Sequence, residues 1–171
     1  MIRFYFIVFF TFCFVVSPCV AKSVYQTPKD FVSKAFLGTP PAPKTLWLTK
    51  QYSPTVKKIL GHQYIKKRIQ YWRMNNKSVW ILEEIGKEKT ITLGLIINEQ
   101  KIQQLSVLIY REKRGDEVRH HFFTRQFDNA KITKDHELNR YIDGVSGATL
   151  SVNALKKLAR LALYLDSQTD E

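Results

Sequence analysis

The stretch DGVSGAT at residues 143–149 runs directly into an amphipathic segment over residues 150–165. Leucine and alanine recur at helical spacing over residues 150–165, with basic residues between them. This pattern predicts a C-terminal helix that packs one face on a core. The first turn of such a helix has backbone N–H groups without intrahelical partners and a partial positive charge. The turn therefore favours an anionic group such as phosphate.

Two hydroxyl side chains stand on this turn, with only small residues between them. Ser146 and Thr149 flank Gly147 and Ala148, and a glycine lets a large group approach the backbone closely. One interpretation is that Ser146 or Thr149 only caps the helix, as hydroxyl residues often do. The other is that the turn accommodates a ligand.

The seven residues of the turn resemble the flavinylation motif of the FMN-binding domain family. That family includes flavin subunits of the sodium-pumping NADH:quinone oxidoreductase and of the Rnf complex. Its motif ends in a threonine that carries FMN through a phosphoester bond made by a dedicated flavin transferase. The resemblance implies that Thr149 is the acceptor and that Ser146, Gly147 and Ala148 frame it. It also implies that Asp143 serves recognition by the transferase.

The resemblance extends upstream over residues 80–97 and 110–115 and to the region around Gln126. In the family, a loop with a glutamate and a glycine after the central strand lies near the isoalloxazine ring. The matching positions here are Glu112 and Gly115, so the resemblance implies that both lie near the flavin. The chain lacks the Glu-Thr-Pro-Gly form of this loop that the respiratory-complex subunits have.

Residues 1–21 have the pattern of a secretory signal peptide. Arg3 precedes an apolar run over residues 4–16, and a small-residue cleavage site follows. The run is shorter than the roughly 20 residues that span a bilayer. We therefore expect export to the periplasm and a single FMN-binding domain over residues 22–171. An uncleaved N-terminal anchor and a lipoprotein acylated at Cys19 are the alternatives.

The net charge and the positions of the cysteines exclude some classes of function. The net charge is +12, and loss of Arg3 with the leader lowers it to +11. Such a chain is attracted to anionic surfaces, and for an exported protein these are an acidic redox protein or the membrane rather than nucleic acid. The alternative is that the lysines only solvate the surface. Both cysteines, Cys13 and Cys19, lie in the segment expected to be removed, so the mature chain has no thiol for a disulfide, a cluster or catalysis.

Hydrophobic periodicity predicts an α+β domain: an antiparallel β-meander with N-terminal helices and a C-terminal amphipathic helix following the SGAT turn. Helix starts are indicated at Thr27-Pro28 and Ser53-Pro54, and we expect both helices to cover one side of the sheet. A change to period two predicts the strands. They are expected over residues 64–71, 79–85, 90–97, 102–111 and 118–124.

Other reactive groups are weaker candidates for a site. His120 and His121 are neighbours on a predicted strand, where they would face opposite ways, so we expect no metal site. Glu83 and Glu84 diverge for the same reason and are expected to be ion-paired or solvated rather than a hydrolytic pair. Ser146 lacks the Gly-x-Ser-x-Gly elbow of a serine nucleophile.

The sequence thus predicts a periplasmic electron-transfer flavoprotein with FMN covalently attached to Thr149, a carrier or redox subunit rather than a stand-alone enzyme. The expected partners are a flavin transferase for maturation and a redox protein such as a cytochrome or a membrane reductase. Peripheral association with the membrane is also expected, given the charge. The second hypothesis is a basic extracytoplasmic binding or sensory module that uses the same fold without flavin.

Overall fold

The computed structural model describes residues 23–169, and the predicted signal peptide lies outside this range. Six strands form one sheet in the order β1-β6-β5-β4-β3-β2, with every neighbouring pair antiparallel. The strands are β1 (Ser23–Val24), β2 (Lys44–Trp47), β3 (Arg68–Met74), β4 (Lys77–Ile85), β5 (Thr90–Asn98) and β6 (Lys101–Tyr110). Strands β3 to β6 follow one another in chain and sheet, which is the predicted meander.

Four α-helices lie within the described range, and the first two begin at the predicted starts, Thr27-Pro28 and Ser53-Pro54, although Tyr52 rather than Ser53 is the N-cap of the second. They are α1 (Pro28–Ala35), α2 (Ser53–Leu60), α3 (His121–Thr124) and α4 (Thr149–Ser167). The Thr27 side-chain oxygen accepts a hydrogen bond of 3.1 Å from the Asp30 backbone N–H, and Pro28 occupies the first turn of α1. Gly61 ends α2 with φ at +83°. The architecture is α+β, as predicted.

The prediction that α1 and α2 cover the same side of the sheet is wrong. Helix α4 packs on β4 and β5 with α2 beside it, whereas α1 packs on the opposite face. There Phe31 lies so close to Gly94 that a Cβ at this glycine would be 2.5 Å from the ring. Side chains alternate along a strand, so Trp80 joins the cluster under α4 and Val79 the cluster under α1. A sheet with two apolar faces needs a helix on each.

The predicted strand over residues 118–124 is also wrong, because this segment forms a 3-10 turn and α3. Val118, Phe123 and Phe127 are buried. They lie five and four residues apart, while residues 119–122 are exposed. That spacing does not fit the period of two that a strand requires. The two short edge strands β1 and β2 were not predicted, since their exposed residues show no alternation.

No helix within residues 23–169 is long and apolar enough to cross a membrane. The elements that position the candidate site are the sheet, the turns at its ends and the N-terminus of α4.

Candidate functional site

A cavity of about 510 Å³ opens at one end of the sheet. Three segments meet there: the β4–β5 turn, the loop that follows β6, and the first turn of α4. The lining residues are Lys87, Glu88, Glu112, Lys113, Arg114, Gly147, Ala148, Thr149, Leu150 and Ser151. Small-molecule and cofactor sites in proteins are typically cavities of about 300–1,000 Å³. The cavity therefore has the size of a cofactor site.

Thr149 is the first residue of α4 and borders the cavity. Ala148 is the N-cap of this helix, and no side chain caps it. The interpretation of Ser146 or Thr149 as a helix cap is therefore wrong. Thr149 is exposed, and its hydroxyl forms no hydrogen bond with any residue between 23 and 169. This oxygen is accessible from the cavity and from solvent.

The turn before Thr149 leaves open space beside the backbone. Gly147 has φ at +77°, and a Cβ built on it would meet nothing within 4 Å. The Ala148 N–H donates to the Val145 carbonyl at 3.0 Å, which closes the turn. The Asp143 backbone N–H donates to Gln126 Oε1 at 2.8 Å and fixes the start of the motif. Thus the structure brings Gly147, Ala148 and Thr149 into the cavity wall.

The other two motif residues of the prediction lie on the turn but outside the cavity lining. Ser146 and Asp143 are both exposed. Both side chains are accessible to solvent beside Thr149. Neither residue is placed to shape the cavity itself.

Tyr110 joins the loop after β6 to the start of α4. Its hydroxyl donates to the Arg114 carbonyl at 2.6 Å and hydrogen bonds to Ser151 Oγ at 2.8 Å. Burial raises the pKa of this phenol, so it stays a neutral hydrogen-bonding group. Gly115 lies directly behind, and a Cβ there would be 3.0 Å from Tyr110 Oη and 3.1 Å from the Ala148 Cβ. Gly115 therefore permits the close packing of the loop on α4.

Glu112 connects the two turns that form the other wall. Its Oε1 accepts hydrogen bonds from three successive backbone N–H groups, of Lys87 at 2.6 Å, Glu88 at 2.7 Å and Lys89 at 2.9 Å. Successive N–H groups of this kind form an anion-binding nest. Burial raises the pKa of the Glu112 carboxyl, but these hydrogen bonds outweigh it and hold the pKa below its usual value. Gly86 leaves room for this oxygen, which a Cβ would approach to 2.9 Å.

Substitution of Glu112 by Gln should therefore weaken the fold in a pH-dependent way. A lowered pKa stabilises the folded state above the usual glutamate pKa, and this contribution is lost as the pH falls through the lowered value. We expect the difference in unfolding free energy between wild type and Glu112→Gln to be largest near pH 7 and to shrink towards pH 3. Urea unfolding at several pH values measures it. Glu88→Gln, on the same turn but with an exposed side chain, is the control, and an equal pH profile for both variants contradicts the role of Glu112.

The cavity is rich in unpaired cations. Lys87, Lys113 and Arg114 form no salt bridge with any carboxylate in the described part of the chain. Together with the N-terminus of α4, they make a positive environment for an anionic ligand. Lys87 was not predicted as a site residue, because it lies in the turn between two predicted strands. Its role follows from the sheet, where β6 pairs with β5 and leads into the loop of Glu112 beside this turn.

The remaining candidates do not form a second reactive site. Glu83 pairs with Lys66 at 2.8 Å and Glu84 with His62 at 2.8 Å, so both are ion-paired as expected. Hydrogen bonds to the backbone carbonyl of residue 63 and to Glu84 raise the pKa of His62. Between residues 23 and 169 there is no group of three or more His, Cys, Asp or Glu side chains that could hold a metal ion.

The residues present fit FMN. The cavity has a suitable volume, its cations match a phosphate, and the open side of Gly147 admits a bulky group. No curated protein and no solved structure matches the chain. Residues 86–164 match the family model of the FMN-binding domain, and this range contains every residue that lines the cavity. Residues 86–164 of the chain therefore form an FMN-binding domain, which supports FMN as the cofactor.

Proposed function

We propose that this protein is an exported electron-transfer flavoprotein whose FMN is attached to Thr149 by a phosphoester bond. One observation carries the proposal. The Thr149 hydroxyl is exposed at the first residue of α4, has no hydrogen-bond partner within residues 23–169, and borders the cavity of about 510 Å³. A hydroxyl in this position is accessible to a modifying enzyme and adjacent to the space that the flavin needs.

The attachment step requires an activated donor. Thr149 Oγ1 loses its proton and forms a bond to the phosphorus of the FMN phosphate, and the bond from that phosphorus to its leaving group breaks. A free FMN phosphate has only hydroxide or oxide as a leaving group. The donor is therefore a flavin nucleotide whose phosphate is activated as an anhydride: the P–O–P bond breaks, the other half leaves as a phosphate monoester and takes up the proton that Thr149 loses. A flavin transferase supplies the acid–base catalysis. No oxidation or reduction occurs in this step.

Residues of this chain would hold and orient the cofactor. Lys87, Lys113 and Arg114 neutralise the phosphodiester charge, and the first N–H groups of α4 add to the positive field. Tyr110 fixes the start of α4, and with it Thr149, relative to the loop after β6. Bound FMN supplies the electron-accepting and electron-donating chemistry, and the protein supplies tethering, orientation and electrostatics.

Export makes a covalent tether useful. Outside the cytoplasm a dissociated cofactor diffuses away and is not replaced, whereas a phosphoester bond retains it through every turnover. The pattern of residues 1–21 supports periplasmic delivery. The partners are then a flavin transferase during maturation and a cytochrome or membrane reductase during electron transfer.

Co-expression with a flavin transferase tests the proposal. The full chain, purified and denatured, is expected to keep a yellow colour and to show a mass increase of one FMN, less the atoms lost in forming the ester. Chain expressed without the transferase is the matched control and should be colourless after denaturation. Transferase activity is verified on a second acceptor protein in the same cells. A colourless chain of unmodified mass beside a flavinylated second acceptor contradicts covalent attachment and favours the binding module.

A further inference from the structure

The end of the sheet that holds the cavity is also the end at which the chain enters the domain. Strand β1 runs antiparallel to β6, with Ser23 opposite Tyr110 and Val24 opposite Ile109. Ser23 therefore lies at the end of the sheet where β6 leads into the loop of Glu112. Only six residues, 17–22, separate Ser23 from the apolar run of residues 4–16. Fully extended, such a connection spans about 20 Å.

This geometry restricts how the domain faces a membrane. Whenever the apolar run is in the bilayer, a connection of this length keeps Ser23 within about 20 Å of the membrane surface. The β3–β4 turn lies at the opposite end of the sheet from Ser23. The surface around the cavity is therefore on the side of the domain that is nearest to this connection.

The charge of this surface suits an anionic membrane. A second depression of about 280 Å³ adjoins the cavity at Leu150, and its rim includes Lys156 and Lys157. Neither lysine forms a salt bridge with a carboxylate of residues 23–169. They extend the positive charge of the cavity across the face of α4. Each lysine near an anionic membrane surface strengthens binding by about fivefold.

The carboxylates of this surface offset the cations only in part. Glu112 is engaged by three backbone N–H groups, and Glu137 pairs with Arg160. Glu88 is the remaining acidic side chain that lines either depression. One FMN phosphodiester adds a single negative charge. An excess of positive charge therefore remains after the cofactor is attached.

Exposed apolar side chains lie among these lysines. Leu150 is 50% exposed and Ile85 45% exposed, and both line the second depression. Tyr141 is 81% exposed, with Lys156 Nζ 5.9 Å from the centre of its ring. Aromatic and basic side chains side by side are typical of surfaces that sit at a lipid headgroup layer.

We propose that this surface, formed by Ile85, Lys87, Lys113, Tyr141, Leu150, Lys156 and Lys157, docks on the anionic phospholipid headgroups of the membrane. The cavity then faces the bilayer, where a membrane reductase presents its own redox group. Docking depends on the protein surface and not on the flavin. Failure of docking is therefore distinguishable from failure of flavin attachment at Thr149, because Thr149→Ala protein is expected to bind the membrane as tightly as wild type.

Spin labels report the orientation whether or not the leader is removed. Tyr141→Cys and Leu37→Cys are compared in the full chain, with any remaining native cysteine replaced by serine. Leu37 is 94% exposed and follows Phe36, which lies beside the β3–β4 turn at the other end of the sheet. With vesicles of phosphatidylcholine containing about 30% phosphatidylglycerol, we expect label 141 to lose access to a water-soluble relaxation agent and label 37 to keep it. Equal access at both labels overturns the proposal.

Charge reversal tests the same surface independently. Lys156→Glu/Lys157→Glu is expected to weaken binding to the anionic vesicles by at least about tenfold. Lys29→Glu/Lys34→Glu, on the exposed side of α1, changes the net charge equally and should weaken it much less. Equal losses in the two variants, or binding to vesicles of phosphatidylcholine alone that matches binding to anionic ones, overturn the proposal. Loss of binding to immobilised polyglutamate without any effect on vesicles assigns the surface to an acidic protein instead.

Discussion

Thr149→Ala protein, co-expressed with a flavin transferase, is expected to carry no covalent FMN. Alanine lacks the oxygen that is proposed to form the ester, and within residues 143–149 Thr149 is the only hydroxyl residue that lines the cavity wall. Thr149→Ser retains an oxygen at the same position and should keep a measurable fraction of the flavin. In-gel fluorescence of the denatured chain and the intact mass measure both results.

The fold should not be affected by this change. The Thr149 side chain is exposed and has no hydrogen bond within the described range, so we expect the unfolding free energy to change by no more than about 0.5 kcal/mol. Urea unfolding of the flavin-free proteins provides this control. Mapping of the flavin-bearing peptide identifies the acceptor. FMN found on Ser146, or retained through a phosphate bond in Thr149→Ala, contradicts the assignment.

Asp166→Ala is expected to cause the largest loss of stability, about 3–5 kcal/mol. Asp166 lies in the last turns of α4, is 1% exposed, and forms a buried salt bridge with Arg73 on β3. It also accepts hydrogen bonds from Ser78 and from Gln100, the latter at 2.9 Å. Its removal takes this carboxylate away from the buried Arg73 guanidinium, and Ser78 and Gln100 each lose one acceptor.

Glu137→Ala is the matched control for this prediction. Glu137 pairs with Arg160, but its side chain is 64% exposed, and an exposed pair contributes about 0–1 kcal/mol. Urea or guanidinium unfolding at pH 7 compares the two variants with wild type. A loss below about 1 kcal/mol for Asp166→Ala would show that the buried pair is replaceable and that α4 is held by its apolar face alone.

Much of the local structure was predictable because it depends on neighbours in the chain. The cap at Thr27, the proline at position 28 and the helix end at Gly61 are local signals, and all three are confirmed. The period-two alternation predicted the ends of the four central strands, and most predicted ends lie within a few residues of the observed ones. The exception is β3, which begins at Arg68 rather than residue 64. Ile65, although apolar, is 72% exposed there and contributes no face to the sheet.

The errors arose where a segment's structure depends on what lies beside it. Residues 118–124 are rich in β-forming side chains, yet their buried positions follow a helical turn rather than alternation. Helices α1 and α2 have similar amphipathic patterns, and no residue within either helix indicates which face of the sheet that helix covers. Phe31 decides the question through its contact with Gly94, a residue 63 positions away that it meets only in the folded sheet.

The residues of the candidate site were also predictable only in part. The motif that contains Thr149 and the loop of Glu112 were identified from their own residues, and the FMN-binding domain match at residues 86–164 covers both. The hydrogen bonds of Glu112 were not predicted. The resemblance implied a position near the ring, which stays a prediction, and the structure adds that one carboxylate oxygen accepts from the backbone N–H groups of residues 87–89.

By itself, the sequence determined the α+β class, the meander, the amphipathic C-terminal helix and the motif at its start. Each of these is a property of residues adjacent in the chain, through backbone preference, periodicity or turn chemistry. The tertiary structure alone decided that Lys87, Glu112 and Thr149 share one cavity and that Arg73 meets Asp166 across 93 positions. Antiparallel pairing and helix packing create such contacts between distant residues, and their partners are selected by the shape and polarity of the whole core rather than by any local pattern.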